Sequence, residues 1–120
     1  MADLYPVYIA LRDLMIRAAP GFTIAKDASG EFTMNVAMDV MASKDPTWFG
    51  SVRLSGGNVA YYLPPLAMRE GRDITVPDAL KRLAQSKTCF IFHDLDAVRF
   101  QELEAVTRQA ALAFGVRKVA

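Results

Sequence analysis

One cysteine, one histidine and one tryptophan in 120 residues leave this chain short of the side chains that most enzymes and metal proteins use. A lone cysteine, Cys89, closes no disulfide within the chain, which fits a reducing compartment. One cysteine and one histidine, His93, cannot build a zinc finger, a histidine-rich metal site or a Cys–His–Asp triad. No metal, no cofactor and no catalytic residue is therefore expected. A surplus of one charge is missing as well: 14 basic residues face 13 acidic ones, interspersed, for a net charge of +1. That balance offers no electrostatic footprint for nucleic acid or for an anionic membrane. Long hydrophobic runs are absent too. The longest uncharged stretch, Leu54 to Met68, contains Gly56, Gly57, Pro64 and Pro65 and is too short to span a bilayer. The apolar N-terminal stretch is interrupted by Arg12, Asp13 and Arg17, with no basic leader before it. These readings predict a cytoplasmic protein.

What the chain does have is a core. Hydrophobic residues make up 52% of it, and 120 residues suit one domain, 1–120, that buries roughly two-thirds of its unfolded surface. Leu4, Val7, Tyr8, Leu11, Leu14, Met15 and Ala18 follow the spacing of one helical face, and Pro20-Gly21 stops that helix. From Glu31 to Met41 the period becomes two, with Phe32, Met34, Val36, Met38 and Val40 on one side. The methionines there read as gap-filling core residues. Phe22 to Lys26 alternates as well. A three-residue loop, Ala28-Ser29-Gly30 with Gly30 left-handed, sets Phe22 opposite Val36 and Ile24 opposite Met34.

A second hairpin runs from Thr47 to Leu54 and from Val59 to Leu63 around Gly56-Gly57. Its register pairs Leu54 with Val59, Val52 with Tyr61 and Gly50 with Leu63. Trp48, Gly50, Val52, Leu54, Val59, Tyr61 and Leu63 then face the core, while Phe49, Ser51, Arg53, Ala60 and Tyr62 face outward. Ser55-Gly56-Gly57-Asn58 superficially suggests a phosphate loop, but no lysine sits in it and no helix follows, so it reads as a turn. Ala67 to Thr75 is charged and reads as a loop, and Pro77 to Leu83 as a short helix. In the final helix Asp96 is the cap, Phe100, Leu103, Val106, Thr107, Ala110, Ala111 and Phe114 form the buried face, and Gly115 is the stop.

The stretch Thr88-Cys89-Phe90-Ile91-Phe92-His93 joins the only cysteine to the only histidine. On a helix the two could form a thiolate–imidazolium pair. On a strand they stand about 13 Å apart, and the aromatic and β-branched composition reads as strand. Phe90 and Phe92 claim the core face, which sends Cys89, Ile91 and His93 outward.

The expected fold is α+β: an antiparallel sheet of about five strands, the N- and C-terminal helices on one face, and a short helix before the last strand. The opposite face then gathers Phe49, Ser51, Arg53, Tyr62 and His93 as candidate ligand- or partner-binding residues. An aromatic patch with polar handles suits a protein partner, a small ligand or a homodimer contact. The leading reading is a non-enzymatic binding or scaffold module. The alternative is a small-ligand enzyme in which Arg53 holds an anion and His93 or Tyr62 moves a proton.

FGSVRLSGGNVAYYLPPL, then LKRLAQ, KTCFIF and a terminal helix, together resemble the YdhG-like family of small bacterial domains over roughly residues 47–114. The resemblance implies a frataxin-like α-β-α sandwich and a role in iron delivery for iron–sulfur cluster assembly. Iron binding of that kind uses an acidic ridge on the first helix, where this chain has Asp3 and Asp13 beside Arg12 and Arg17. Weak or no iron binding is the expectation.

Overall fold

A computed structural model describes residues 4–35, 48–68 and 73–119, with the backbone alone described for 114–119. The readings made on Asp3, Val36 to Thr47 and Arg69 to Arg72, and on the side chain of Phe114, lie outside the described residues.

Helix α1, Tyr5–Ala18, buries Val7, Tyr8, Leu11, Leu14, Met15 and Ala18, the face marked by its helical spacing. Pro6 sits in the first turn, where its missing N–H costs nothing, and Arg17 lies in the last turn, where a cation suits the helix dipole. Six strands follow: β1 Thr23–Ala28, β2 Glu31–Asn35, β3 Trp48–Leu54, β4 Val59–Tyr62, β5 Ala84–Ser86 and β6 Cys89–Phe92. They form one antiparallel sheet in the order β1-β2-β3-β4-β6-β5. Helix α2 is a single turn, Asp78–Lys81, with Pro77 at its N-cap, and α3 runs Ala97–Val119.

The fold class is α+β, with the terminal helices on one face of the sheet. Phe32, Val52, Tyr61 and Phe90 lie side by side across β2, β3, β4 and β6, all buried. Tyr61 reaches α3 directly: its hydroxyl lies 2.7 Å from Thr107 Oγ1, which donates in turn to the Leu103 carbonyl at 2.8 Å. Gly50 faces α1, and a Cβ built there would meet Met15 Sδ at 2.9 Å. At this glycine the Met15 side chain of α1 packs directly on the β3 backbone. The two helices are also joined by Arg17 and Glu104 at 2.9 Å.

The second hairpin has the expected register, Leu54 opposite Val59 and Val52 opposite Tyr61. The first reaches its register by another route. Ala28 pairs with Glu31, so the loop is the two residues Ser29-Gly30, with Gly30 left-handed at φ 82°. Ile24 still faces Met34, because a bulge at Ala25 inserts the residue that the loop does not. As the edge strand, β1 is exposed along its whole length, Ile24 included.

Two further differences concern the C-terminal half. Residues 84–86 form a sixth, three-residue strand. Asp96 caps α3 as expected, its Oδ1 accepting from the Arg99 N–H at 3.1 Å, but the helix continues through Gly115 to Val119. A glycine costs a helix roughly 1 kcal/mol, which does not by itself end one.

Candidate functional site

On the sheet face opposite α1 and α3 the outward residues of the described strands align across the sheet. Thr33, Ser51, Tyr62 and Cys89 form one row, and Glu31, Arg53, Ala60 and Ile91 the next. The start of β3 departs from simple alternation. Met34 pairs with Gly50 and Asn35 with Trp48, so Phe49 is an extra residue in β3, a bulge. Phe49, expected outward, is fully buried and meets Phe22 edge-on, ring centroids 5.0 Å apart. Trp48, expected in the core, is 42% exposed beside outward-facing Asn35. The bulge exchanges the two aromatics.

The aromatic row on this face is therefore exposed Trp48 and half-buried Tyr62, ring centroids 6.1 Å apart and tilted by 42°. The Arg53 guanidinium carbon lies 5.9 Å from the Tyr62 ring centroid, within cation–π range. Arg53 also reaches Glu31 Oε2 at 3.6 Å, and Lys26 Nζ meets Glu31 Oε1 at 2.9 Å. The hydrogen bond from Lys26, with Arg53 adding, holds the Glu31 carboxyl below its usual range. Trp48, Tyr62, Arg53, Glu31 and Lys26 so make a continuous stripe on the face opposite the helices.

The remaining candidates stand apart from it. Ser51 lies on the outer face but is fully buried; its hydroxyl donates to the Phe32 carbonyl at 2.9 Å, so it offers nothing to a ligand. Cys89 is buried beneath the same face, its Sγ 3.9 Å from Gln85 Oε1. Burial pushes the thiol upward, against a smaller opposing effect of a hydrogen bond with Tyr62, and keeps it protonated at neutral pH. His93 is exposed just beyond β6. The strand expected through His93 ends at Phe92, and His93 lies in the bend that follows. The three strand steps from Cys89 to Phe92 alone put roughly 10 Å between Cys89 and that bend. The same spacing parts the bend from Tyr62, the partner of Cys89 across β4 and β6.

Among the described residues no group of three histidine, cysteine, aspartate or glutamate side chains could hold a metal ion. No helix among them is long and apolar enough to cross a membrane.

A concavity lies elsewhere, where the loop and short-helix reading showed no site. A cavity of about 720 Å³ opens between the 3₁₀ turn Pro64–Ala67, residues 74–76, α2 and the β5–β6 edge. Its volume is within the roughly 300–1,000 Å³ of small-molecule sites. The sequence signal was slight: Leu66, Met68, Ile74 and Val76 spaced through an otherwise polar segment.

Set against known proteins, the chain matches no protein-family model, no curated protein and no solved structure.

Proposed function

We propose that this protein is a non-enzymatic binding module that docks a protein surface on the sheet face opposite α1 and α3. The observation that carries the reading is the row in which exposed Trp48 and exposed Arg53 each pack on half-buried Tyr62, on the face that neither long helix covers. Tryptophan, tyrosine and arginine dominate the energetics of protein–protein contacts, because each offers a large flat surface with a polar end. Here the bulge at Phe49 and the pairing of β3 with β4 hold them in register before any partner arrives, which lowers the cost of ordering them on binding. Lys26 and Glu31 give the row a charged rim of both signs.

The enzymatic alternative draws no support from the geometry. Arg53 and His93 lie two strands apart, and the bend holding His93 is about three strand steps from Tyr62, so the three do not converge on one reacting atom. Nor does the iron-delivery role implied by the YdhG-like resemblance. Asp13 lies 3.7 Å from Arg12, and Arg12 also engages Asp27 at 3.3 Å, so these carboxylates are balanced by a cation.

Panning a random peptide library against the purified protein tests the docking surface. Selected peptides are expected to quench the fluorescence of Trp48, the single tryptophan, and to lose binding to Trp48→Ser and to Arg53→Glu. Peptides that bind both variants as tightly as the wild type would place the docking surface elsewhere.

A further inference from the structure

The cavity beside β5 has a lining of two characters. Leu66, Ile74, Val76 and Phe90 form apolar walls, continuous with the core cluster. Lys81, on α2, and Lys87, in the turn between β5 and β6, line the same space, with no aspartate or glutamate among the described lining residues. Neither lysine is in an ion pair with a described residue, whereas Lys26, Arg12, Arg17, Arg53, Arg99 and Arg108 all are. Two ammonium groups with no carboxylate partner among the described residues, beside an apolar hollow, make an amphipathic container. Its complement is a molecule with an apolar body and an anionic end.

We propose that this cavity binds a small organic carboxylate with an aliphatic or aromatic body. The body lies against Leu66, Ile74, Val76 and Phe90, and the carboxylate meets Lys81 and Lys87. An ammonium–carboxylate contact is a charge-assisted hydrogen bond, stronger than a neutral one, and the apolar wall removes the rest of the ligand from water. The site is independent of the aromatic row on the sheet face opposite α1 and α3, so either can fail without the other.

Decanoate is a direct probe, with decanol as its neutral counterpart. Titrated into ¹⁵N-labelled protein, decanoate is expected to shift the amide resonances of residues 66–68, 74–76 and 84–90 saturably. A dissociation constant of about 2 mM or tighter follows from the efficiency of ordinary ligands applied to about twelve heavy atoms. Lys81→Ala with Lys87→Ala should weaken decanoate about tenfold, the size of one charge-assisted contact, and leave decanol unchanged. Ala84→Leu, which narrows the cavity from the β5 side, should weaken both ligands. The thermal transition of each variant shows whether it remains folded. Shifts that do not saturate, or affinities that ignore both the lysine pair and Ala84→Leu in folded protein, would overturn the assignment.

Discussion

Tyr61 and Thr107 show how much one buried polar contact decides. Thr107 spends its proton on the Leu103 carbonyl, so the 2.7 Å contact must be the Tyr61 hydroxyl donating to Thr107 Oγ1. Complete burial, with the Glu104 carboxylate adding and the Thr107 contact only partly opposing, drives the Tyr61 hydroxyl well above the usual phenol range. The two ends of this bond are not equivalent. Tyr61→Phe removes the donor and leaves Thr107 bonded to Leu103, a loss of about 1 kcal/mol. Thr107→Val strands the Tyr61 hydroxyl in the core and should cost about 1–3 kcal/mol. Urea denaturation of the two variants and of their combination checks this, with the double variant recovering part of the Thr107→Val loss. Equal single losses that simply add would mean the hydroxyls are not coupled.

At the scale of elements, α1, the β3–β4 hairpin and the capped start of α3 were legible in the chain, because each has one dominant periodic signal. Val7, Leu11 and Leu14 repeat at helical spacing, and Val52 and Tyr61 fall opposite each other once Gly56-Gly57 is a turn. What was not legible were the bulges. Alternation assigns faces by parity, and one inserted residue reverses parity for everything beyond it. Ala25 hides such an insertion in β1, Phe49 in β3 and Gln85 in β5, and only cross-strand pairing reveals them. The cavity was equally hidden, because it arises between a 3₁₀ turn, a one-turn helix and a sheet edge far apart in periodic pattern. Gly50 ties an element-scale prediction to this geometry. A Cβ there meets Met15 and lies 3.0 Å from the Tyr62 carbonyl oxygen, and only the methionine can move aside. Gly50→Ala should destabilise by about 1–3 kcal/mol through overpacking between α1 and β3. Met15→Ala in the same background should return part of that loss in thermal denaturation.

For the whole molecule, the titrating groups set a pH window. Burial raises Cys89, Tyr8 and Tyr61 alike, so the folded chain holds protons that the unfolded chain has released. Stability is then undiminished below the unfolded thiol value of about 8.5, and falls as pH climbs past it and past about 10. On the acid side Glu104, held low by its hydrogen bond with Arg17, and Glu31, by that with Lys26, contribute stability above the ordinary carboxylate value of about 4.3 that is lost as they protonate. Urea midpoints measured across pH should form a plateau from about 5 to 8.5, and Tyr61→Phe should flatten the alkaline fall.

The larger consequence of the architecture is that α1 and α3 cover one face and leave the other to the residues that β3 and β4 present. The bulge at Phe49 decides which aromatic that face receives, and the proposed docking surface depends on that choice. The difference in unfolding free energy between Trp48→Ser and Phe49→Ser, from urea denaturation monitored by circular dichroism, tests it most directly. Phe49→Ser empties a filled core site and should cost about 3–5 kcal/mol, while Trp48→Ser, at an exposed position, should cost less than about 1 kcal/mol. Equal losses, or a larger loss for Trp48→Ser, would mean that β3 runs without the bulge and that Trp48 belongs to the core.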